Sequence, residues 1–293
     1  MDEATAIERS TLGQTVRAYV SLTKPGVVVL LLVTAFGAML VAAQGLPDAQ
    51  VLLGTLLGGA LTAAGAHAVN CYLDRDIDSV MRRTLRRAIP SGLVDPSRAL
   101  LFGLTLETVG VAVFALLTNW LAAVLALSSF LFYVLVYTRW LKRTTPSNIV
   151  IGGAAGAMPP VIAWAAVTGE VSLLAVFLFA IIFYWTPPHF WALALLIQKD
   201  YARARIPMLP VVYGEEETRR QILLYTLLLL AVSLFVFAFK LAGLVYLGSA
   251  VVLGGVFLYL AARLFRDGST ATAARLFHYS NAYLALLLLA LVL

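Results

Sequence analysis

Nine stretches of the chain are apolar for long enough to cross the roughly 30 Å of hydrocarbon in a bilayer. They lie near 26–43, 51–73, 99–117, 120–138, 148–167, 171–198, 221–239, 245–262 and 276–293. The pattern predicts an all-α integral membrane protein of nine transmembrane helices. The polar joints alternate in character. Gln44 to Gln50, Thr118-Asn119, Thr168-Gly-Glu170 and the joint at Lys240 are short and almost free of basic residues, whereas the others are rich in Lys and Arg. Grouping the N-terminus with the 74–98, 139–147, 199–220 and 263–275 joints puts every Lys and Arg on one side except Lys240. The positive-inside rule makes that side cytoplasmic. The expected orientation is a cytoplasmic N-terminal segment (1–22), the C-terminus outside, and no removable signal peptide.

Composition supports a membrane chain. Of 293 residues, 61% are hydrophobic and 12% charged, and mean hydropathy is +0.92. The lone cysteine, Cys71, excludes an internal disulfide and a CxxC metal site. A single transmembrane domain over 1–293 is expected, with no soluble domain and no nucleic-acid partner. The two largest basic joints follow the second and sixth spans, a faint sign of a duplicated four-helix unit. Small residues crowd the second span (Gly58-Gly59-Ala60, Ala63-Ala64-Gly65-Ala66) and the fifth (Gly152 to Ala157), which permits close helix contact. Pro159-Pro160 and Pro187-Pro188 interrupt apolar runs and predict kinks bordering a cavity.

Candidate chemistry sits at the ends of two apolar runs. In Asn70-Cys-Tyr-Leu-Asp74-Arg-Asp76-Ile-Asp78, positions four apart fall about 40° apart around a helix, so Asn70, Asp74 and Asp78 share a face while Asp76 points elsewhere. Oxygen donors in that register suit a hard divalent cation, although a solvated juxtamembrane loop with surface ion pairs has the same composition. Met81-Arg-Arg-Thr-Leu-Arg-Arg87 follows directly, and a second charged helix end stands at Lys199-Asp200-Tyr201. Two acidic helix ends flanked by cations suit a diphosphate bridged by Mg²⁺, with Lys and Arg neutralising the remaining charge.

The spacing Asn70-x-x-x-Asp74-x-x-x-Asp78, followed by Arg83-Thr84, resembles the first motif of the UbiA superfamily of intramembrane prenyltransferases. An ordered set resembles its haem-farnesylating branch: Thr23-Lys-Pro-Gly26, Tyr72 to Asp78, Gly156-Ala-Met-Pro-Pro-Val-Ile162, Ala166-Val-Thr-Gly-Glu170, Pro188-His189, and Lys199-Asp-Tyr201 with Ile206-Pro-Met-Leu-Pro-Val-Val212. The resemblance implies a nine-helix UbiA-type bundle whose central cavity opens at the cytoplasmic side. It also implies Mg²⁺ as cofactor, with farnesyl diphosphate and haem b as substrates and haem O as product in the cytoplasmic (inner) membrane. A haem A synthase or oxidase assembly proteins become possible partners beside the lipid bilayer.

Carried over by position, Asn70, Asp74, Asp78 and Asp200 are the expected catalytic and metal residues. Arg83, Arg87, Lys199 and Lys24 are the expected diphosphate contacts, and His189 is the expected haem contact, as ligand or hydrogen bonder. Lys24 could instead reach a haem propionate or snorkel to the interface. Ala204 and Arg82 stand where many superfamily members have acids. Phe183, Tyr184, Trp185, Phe190 and Trp191 are candidates for stabilising an allylic cation or for simple packing. His67 and His278 are expected in local packing or hydrogen bonding, and Glu215-Glu-Glu217 at a helix start. Two rivals share these features: a UbiA-type enzyme acting on a quinone precursor or chlorin, and a membrane transporter of haem or another small molecule.

Overall fold

The computed structural model describes residues 12–293; the remainder of the expected N-terminal segment lies outside the described residues. Among the described residues, nine helices are long and apolar enough to cross a membrane. They are Pro25–Ala43, Ala49–Leu73, Pro96–Leu117, Trp120–Thr144, Asn148–Thr168, Leu173–Leu196, Gly214–Ala238, Leu244–Asp267 and Thr270–Val292, hereafter the first to ninth spans. Several run past their apolar stretch at the charged end. The seventh begins with Glu215, Glu216 and Glu217 in its first turn, where carboxylates favour the helix dipole. The basic joint expected at 263–275 shrinks to a tight turn. Gly268 takes φ +60° there, and the Ser269 hydroxyl caps the ninth span by accepting from the Thr272 N–H.

Spans two to five pack on one another, as do spans six to nine. The first span bridges the groups through the fifth and ninth, and the fifth packs on the sixth. Each large basic joint therefore follows the first helix of its group. The helix Leu12–Leu22 precedes the bundle, packing Ala18 and Leu22 inward and setting Tyr19 edge-on to Phe102 of the third span.

Small residues set how close the helices come. A Cβ on Gly65 would lie 2.7 Å from the carbonyl oxygen of Gly103 and 2.9 Å from the backbone nitrogen of Glu107. The second and third spans therefore touch backbone to backbone, as small-residue interfaces in membranes allow. Glu107 is buried at this contact, and among the described residues neither carboxyl oxygen has a hydrogen-bond partner.

The proline pairs do not break their helices: Asn148–Thr168 and Leu173–Leu196 run through them. Proline at 159 removes the donor to the Ala155 carbonyl, and Ser129 Oγ of the fourth span donates to that oxygen at 3.4 Å. A neighbouring hydroxyl serving a freed carbonyl makes intramembrane proline tolerable.

Candidate active site

The second span ends at Leu73 and a short helix, Arg75–Asp78, follows; the helical hydrogen bonding crosses the junction. The Asp74 N–H donates to the Asn70 carbonyl at 2.9 Å, and the Asp78 N–H to the Asp74 carbonyl at 2.8 Å. Asn70, Asp74 and Asp78 thus keep one face, and all three are at most 3% exposed. Asp76 turns outward with a 62% exposed side chain. Its hydrogen bonds from Arg143 hold its carboxyl down at about 2.

Buried carboxylates need charged or hydrogen-bonding partners, and here cations arrive from three parts of the chain. Lys24 Nζ donates to Asn70 Oδ1 at 2.8 Å from a residue in the left-handed region (φ 50°), uncommon for a non-glycine. Enclosure lowers its ammonium pKa to about 8. Asn70 Nδ2 in turn donates to Asp74 Oδ2 at 2.8 Å and to Thr138 Oγ1 at 3.2 Å. Lys142 Nζ donates to Asp74 Oδ2 at 2.5 Å, while Arg143 lies 4.0 Å from Asp74 Oδ1. Arg87 Nη1 reaches both Asp78 oxygens, at 2.8 and 2.7 Å. Thr84 Oγ1 donates to the Asp78 carbonyl at 3.0 Å, tying the arginine-rich turn to the ladder.

Thr138, Lys142 and Arg143 owe their placement to the fourth span, which changes from α- to π-helix over Phe132–Leu141. The wider turn, a form that recurs at functional sites, also stacks Tyr133 on Tyr137 at 5.5 Å. Gly152 of the fifth span makes room, since a Cβ there would enter the Tyr137 ring. These three polar residues were not among those singled out by sequence. For Lys142 and Arg143 the only signal was the basic composition of the 139–147 joint, which there served to assign topology; Thr138, inside the fourth apolar run, had none.

The second cluster lies beside the first without merging with it. Asp200 stands in the short helix Gln198–Arg203 and accepts from Arg203 Nη1 at 3.3 Å, while Lys199 is exposed. Arg83 is exposed as well, but its charge is felt at Tyr201. Burial, and then Tyr137, push the Tyr201 hydroxyl pKa up; Arg83, Lys142 and Arg87 oppose the shift. A cleft of about 270 Å³ separates the two joints, lined by Asp76, Ile77, Val80 and Arg143 on one side and Ala204, Arg205 and Ile206 on the other.

His189 stands apart from the ladder. Its contacts are Trp185, Phe190, Phe277 and Ser280 in the sixth and ninth spans. His67 packs edge-on to Tyr133, with both ring nitrogens buried and without a hydrogen-bond partner among the described residues. His278 is exposed and stands edge-on to Phe277.

The oxygens at the ladder fit a hard divalent cation. Asp74 Oδ1 is buried without a hydrogen bond among the described residues, and the Asn70 amide and the Asp78 carboxylate are the other oxygen-bearing side chains of the ladder. Among the described residues, no three His, Cys, Asp or Glu side chains come together as a metal-sized group. Mg²⁺ does not require such a group, being usually held by one or two carboxylates together with water and substrate phosphate oxygens rather than by an all-protein cage. Lys24, Arg87, Lys142 and Arg143 oppose only Asp74, Asp76 and Asp78, leaving net positive charge for an anionic ligand.

A family model described as the UbiA prenyltransferase family matches residues 30–287. A protoheme IX farnesyltransferase from Roseiflexus sp. (strain RS-1) is 54% identical over 93% of this chain and 51% of its own length. Another of that name, from Synechocystis sp. (strain ATCC 27184 / PCC 6803 / Kazusa), is 50% identical over 97% of this chain and 91% of its own. The chain thus spans about half the length of the Roseiflexus relative and most of the Synechocystis one. A digeranylgeranylglyceryl phosphate synthase structure shares the fold at TM-score 0.80 and 19% identity, covering 95% of this chain and 97% of that one. A UbiA homolog from Archaeoglobus fulgidus bound to GPP and Mg²⁺ does so at TM-score 0.67 and 16% identity, covering 94% and 100%.

Proposed function

The chain belongs to the UbiA prenyltransferase family, and from that premise we propose that it moves the farnesyl group of farnesyl diphosphate onto a vinyl group of haem b. Water adds in the same conversion, giving haem O and free diphosphate. The observation that carries the reading is the buried ladder of Asn70, Asp74 and Asp78 bonded to Lys24, Lys142 and Arg87. The names of the relatives support the choice of donor and acceptor.

In this reading the donor's diphosphate lies against the ladder, with Lys24, Arg87, Lys142 and Arg143 neutralising its oxygens. Arg83, Lys199 and Asp200 form the outer rim of the same site across the cleft. Asp74 and Asp78, with the Asn70 amide oxygen, would hold Mg²⁺, which when bound supplies charge neutralisation for the departing diphosphate. Lys142 and Arg87 now pair with the carboxylates and are long enough to turn toward phosphate oxygens. The alkene of the vinyl group is the nucleophile, so attack on the allylic carbon requires no side-chain base. The faces of Tyr133 and Tyr137, beside the ladder, can stabilise cationic character at that carbon.

We assign the charged end to the cytoplasmic side, with the N-terminus inside, the C-terminus outside and the whole of 1–293 acting as one unit in the cytoplasmic membrane. His189 serves the haem side of the site. The test is to incubate the purified chain with haem b, farnesyl diphosphate and Mg²⁺ and to analyse the porphyrin by mass spectrometry. Haem O is expected; folded protein that yields only unchanged haem b would overturn the proposal.

A further inference from the structure

His189 has one ring nitrogen committed and one open. Its Nδ1 lies 2.7 Å from Ser280 Oγ in the ninth span. That hydroxyl directs its own hydrogen to the Phe277 carbonyl at 2.7 Å. With its hydrogen engaged, Ser280 Oγ can only accept from the imidazole, so Nδ1 carries the proton and Nε2 keeps a lone pair.

The ring is also held in orientation. Trp185 stacks on it at 4.2 Å between centroids and Phe277 at 4.7 Å, while Phe190 stands edge-on at 5.2 Å. Trp185 Nε1 donates to the Ser280 carbonyl at 2.7 Å, joining sandwich and serine into one unit across the sixth and ninth spans. Aromatic rings stack against the imidazole, so a ligand reaches it along the edge. Nε2 makes no hydrogen bond within the described residues, and His189 as a whole is 8% exposed. The surroundings offer one acceptor for one N–H, which matches a neutral ring.

We propose that Ser280 is a positioning residue that fixes His189 in the Nδ1–H form and presents the Nε2 lone pair to the iron of bound haem b. The iron clause rests on the haem reading of the proposed function; the tautomer clause does not. Donation from Nδ1–H to an oxygen orients a ligating histidine and raises its basicity.

The full chain, labelled with ¹⁵N-histidine in detergent, reports the tautomer without haem, the His189 signal being identified by its loss in His189→Asn. The expected result is the Nδ1–H form in the wild type, mixed tautomers in Ser280→Ala and recovery in Ser280→Thr, which guards against a folding artefact. Titration with ferric haem b then reads affinity and ligand field. Ser280→Ala is expected to bind about tenfold more weakly or worse, and His189→Asn to lose the nitrogen-ligand signature. An Nε2–H wild type, or an unchanged tautomer in Ser280→Ala, overturns the inference. So does a haem spectrum identical in all variants. A fixed tautomer in a wild type that binds no haem b would instead sink the haem reading, and the iron clause with it.

Discussion

Replacing Lys142 by methionine removes the ammonium 2.5 Å from Asp74 Oδ2 and leaves a carboxylate that is 1% exposed. Breaking a buried ion pair from one side costs about 3–5 kcal/mol when the remaining charge is orphaned. Asp74 would not be wholly orphaned, since the Asn70 amide still donates to it at 2.8 Å and Arg143 lies 4.0 Å away. A charge-assisted hydrogen bond is worth about 1.5–3 kcal/mol, so the expected loss is about 2–3 kcal/mol. Asp74→Asn alone should cost less, because Lys142 is 17% exposed and can reach water. The double variant Lys142→Met/Asp74→Asn should recover most of the loss, giving a coupling of about 2 kcal/mol. Reversible unfolding in mixed micelles, followed by tryptophan fluorescence, measures all four corners of the cycle. A Lys142→Met protein within about 0.5 kcal/mol of wild type, or a double variant no more stable than that single one, would refute the reasoning.

Three further outcomes follow from the same structure. Glu107→Met removes a buried carboxyl with no hydrogen-bond partner among the described residues and should leave stability unchanged or raise it by about 1 kcal/mol; a clear loss in the same unfolding assay would mean the carboxyl has a role in holding the second and third spans. Gly65→Ala forces a methyl to 2.7 Å from the Gly103 oxygen and should cost about 1–3 kcal/mol, whereas wild-type stability would show that the two helices separate freely. Arg87→Leu leaves Asp78 buried without its cation and should lower both stability, by about 3–5 kcal/mol, and affinity for inorganic diphosphate with Mg²⁺; unchanged diphosphate binding by calorimetry would remove Arg87 from the donor site.

Much of the architecture is legible in the chain because lipid demands it. Long apolar runs must be helices, and basic joints mark one end of them. The ladder is legible for a local reason: Asn70, Asp74 and Asp78 are spaced at one helical turn, and their backbone bonds keep that spacing through the junction. What surrounds the ladder is not local. Lys142 meets Asp74 across 68 positions, and the π-helical turn that delivers it departs from the 3.6-residue period on which pattern reading depends. The small residues of the second span announced a close contact, but Gly103 and Gly110 of the third span, which complete it, became visible only in three dimensions. The proline pairs predicted kinks; both helices run through them, and at Pro159 the freed Ala155 carbonyl is served by Ser129 of a neighbouring helix. At Lys199-Asp200, the second charged helix end, the sequence shows the charges but not their surroundings: Lys199 is exposed and Asp200 is engaged by Arg203.

The most direct test of the ladder as the donor site is single-turnover release of diphosphate from farnesyl diphosphate, with haem b and Mg²⁺ present, in Asp74→Asn and Asp78→Asn variants whose folding is verified by the unfolding assay. Release should fall at least about a hundredfold in each, as when a group stabilising transition-state charge is lost. Near wild-type release from both folded variants would show that Asp74 and Asp78 are structural ion pairs and that the chemistry lies elsewhere.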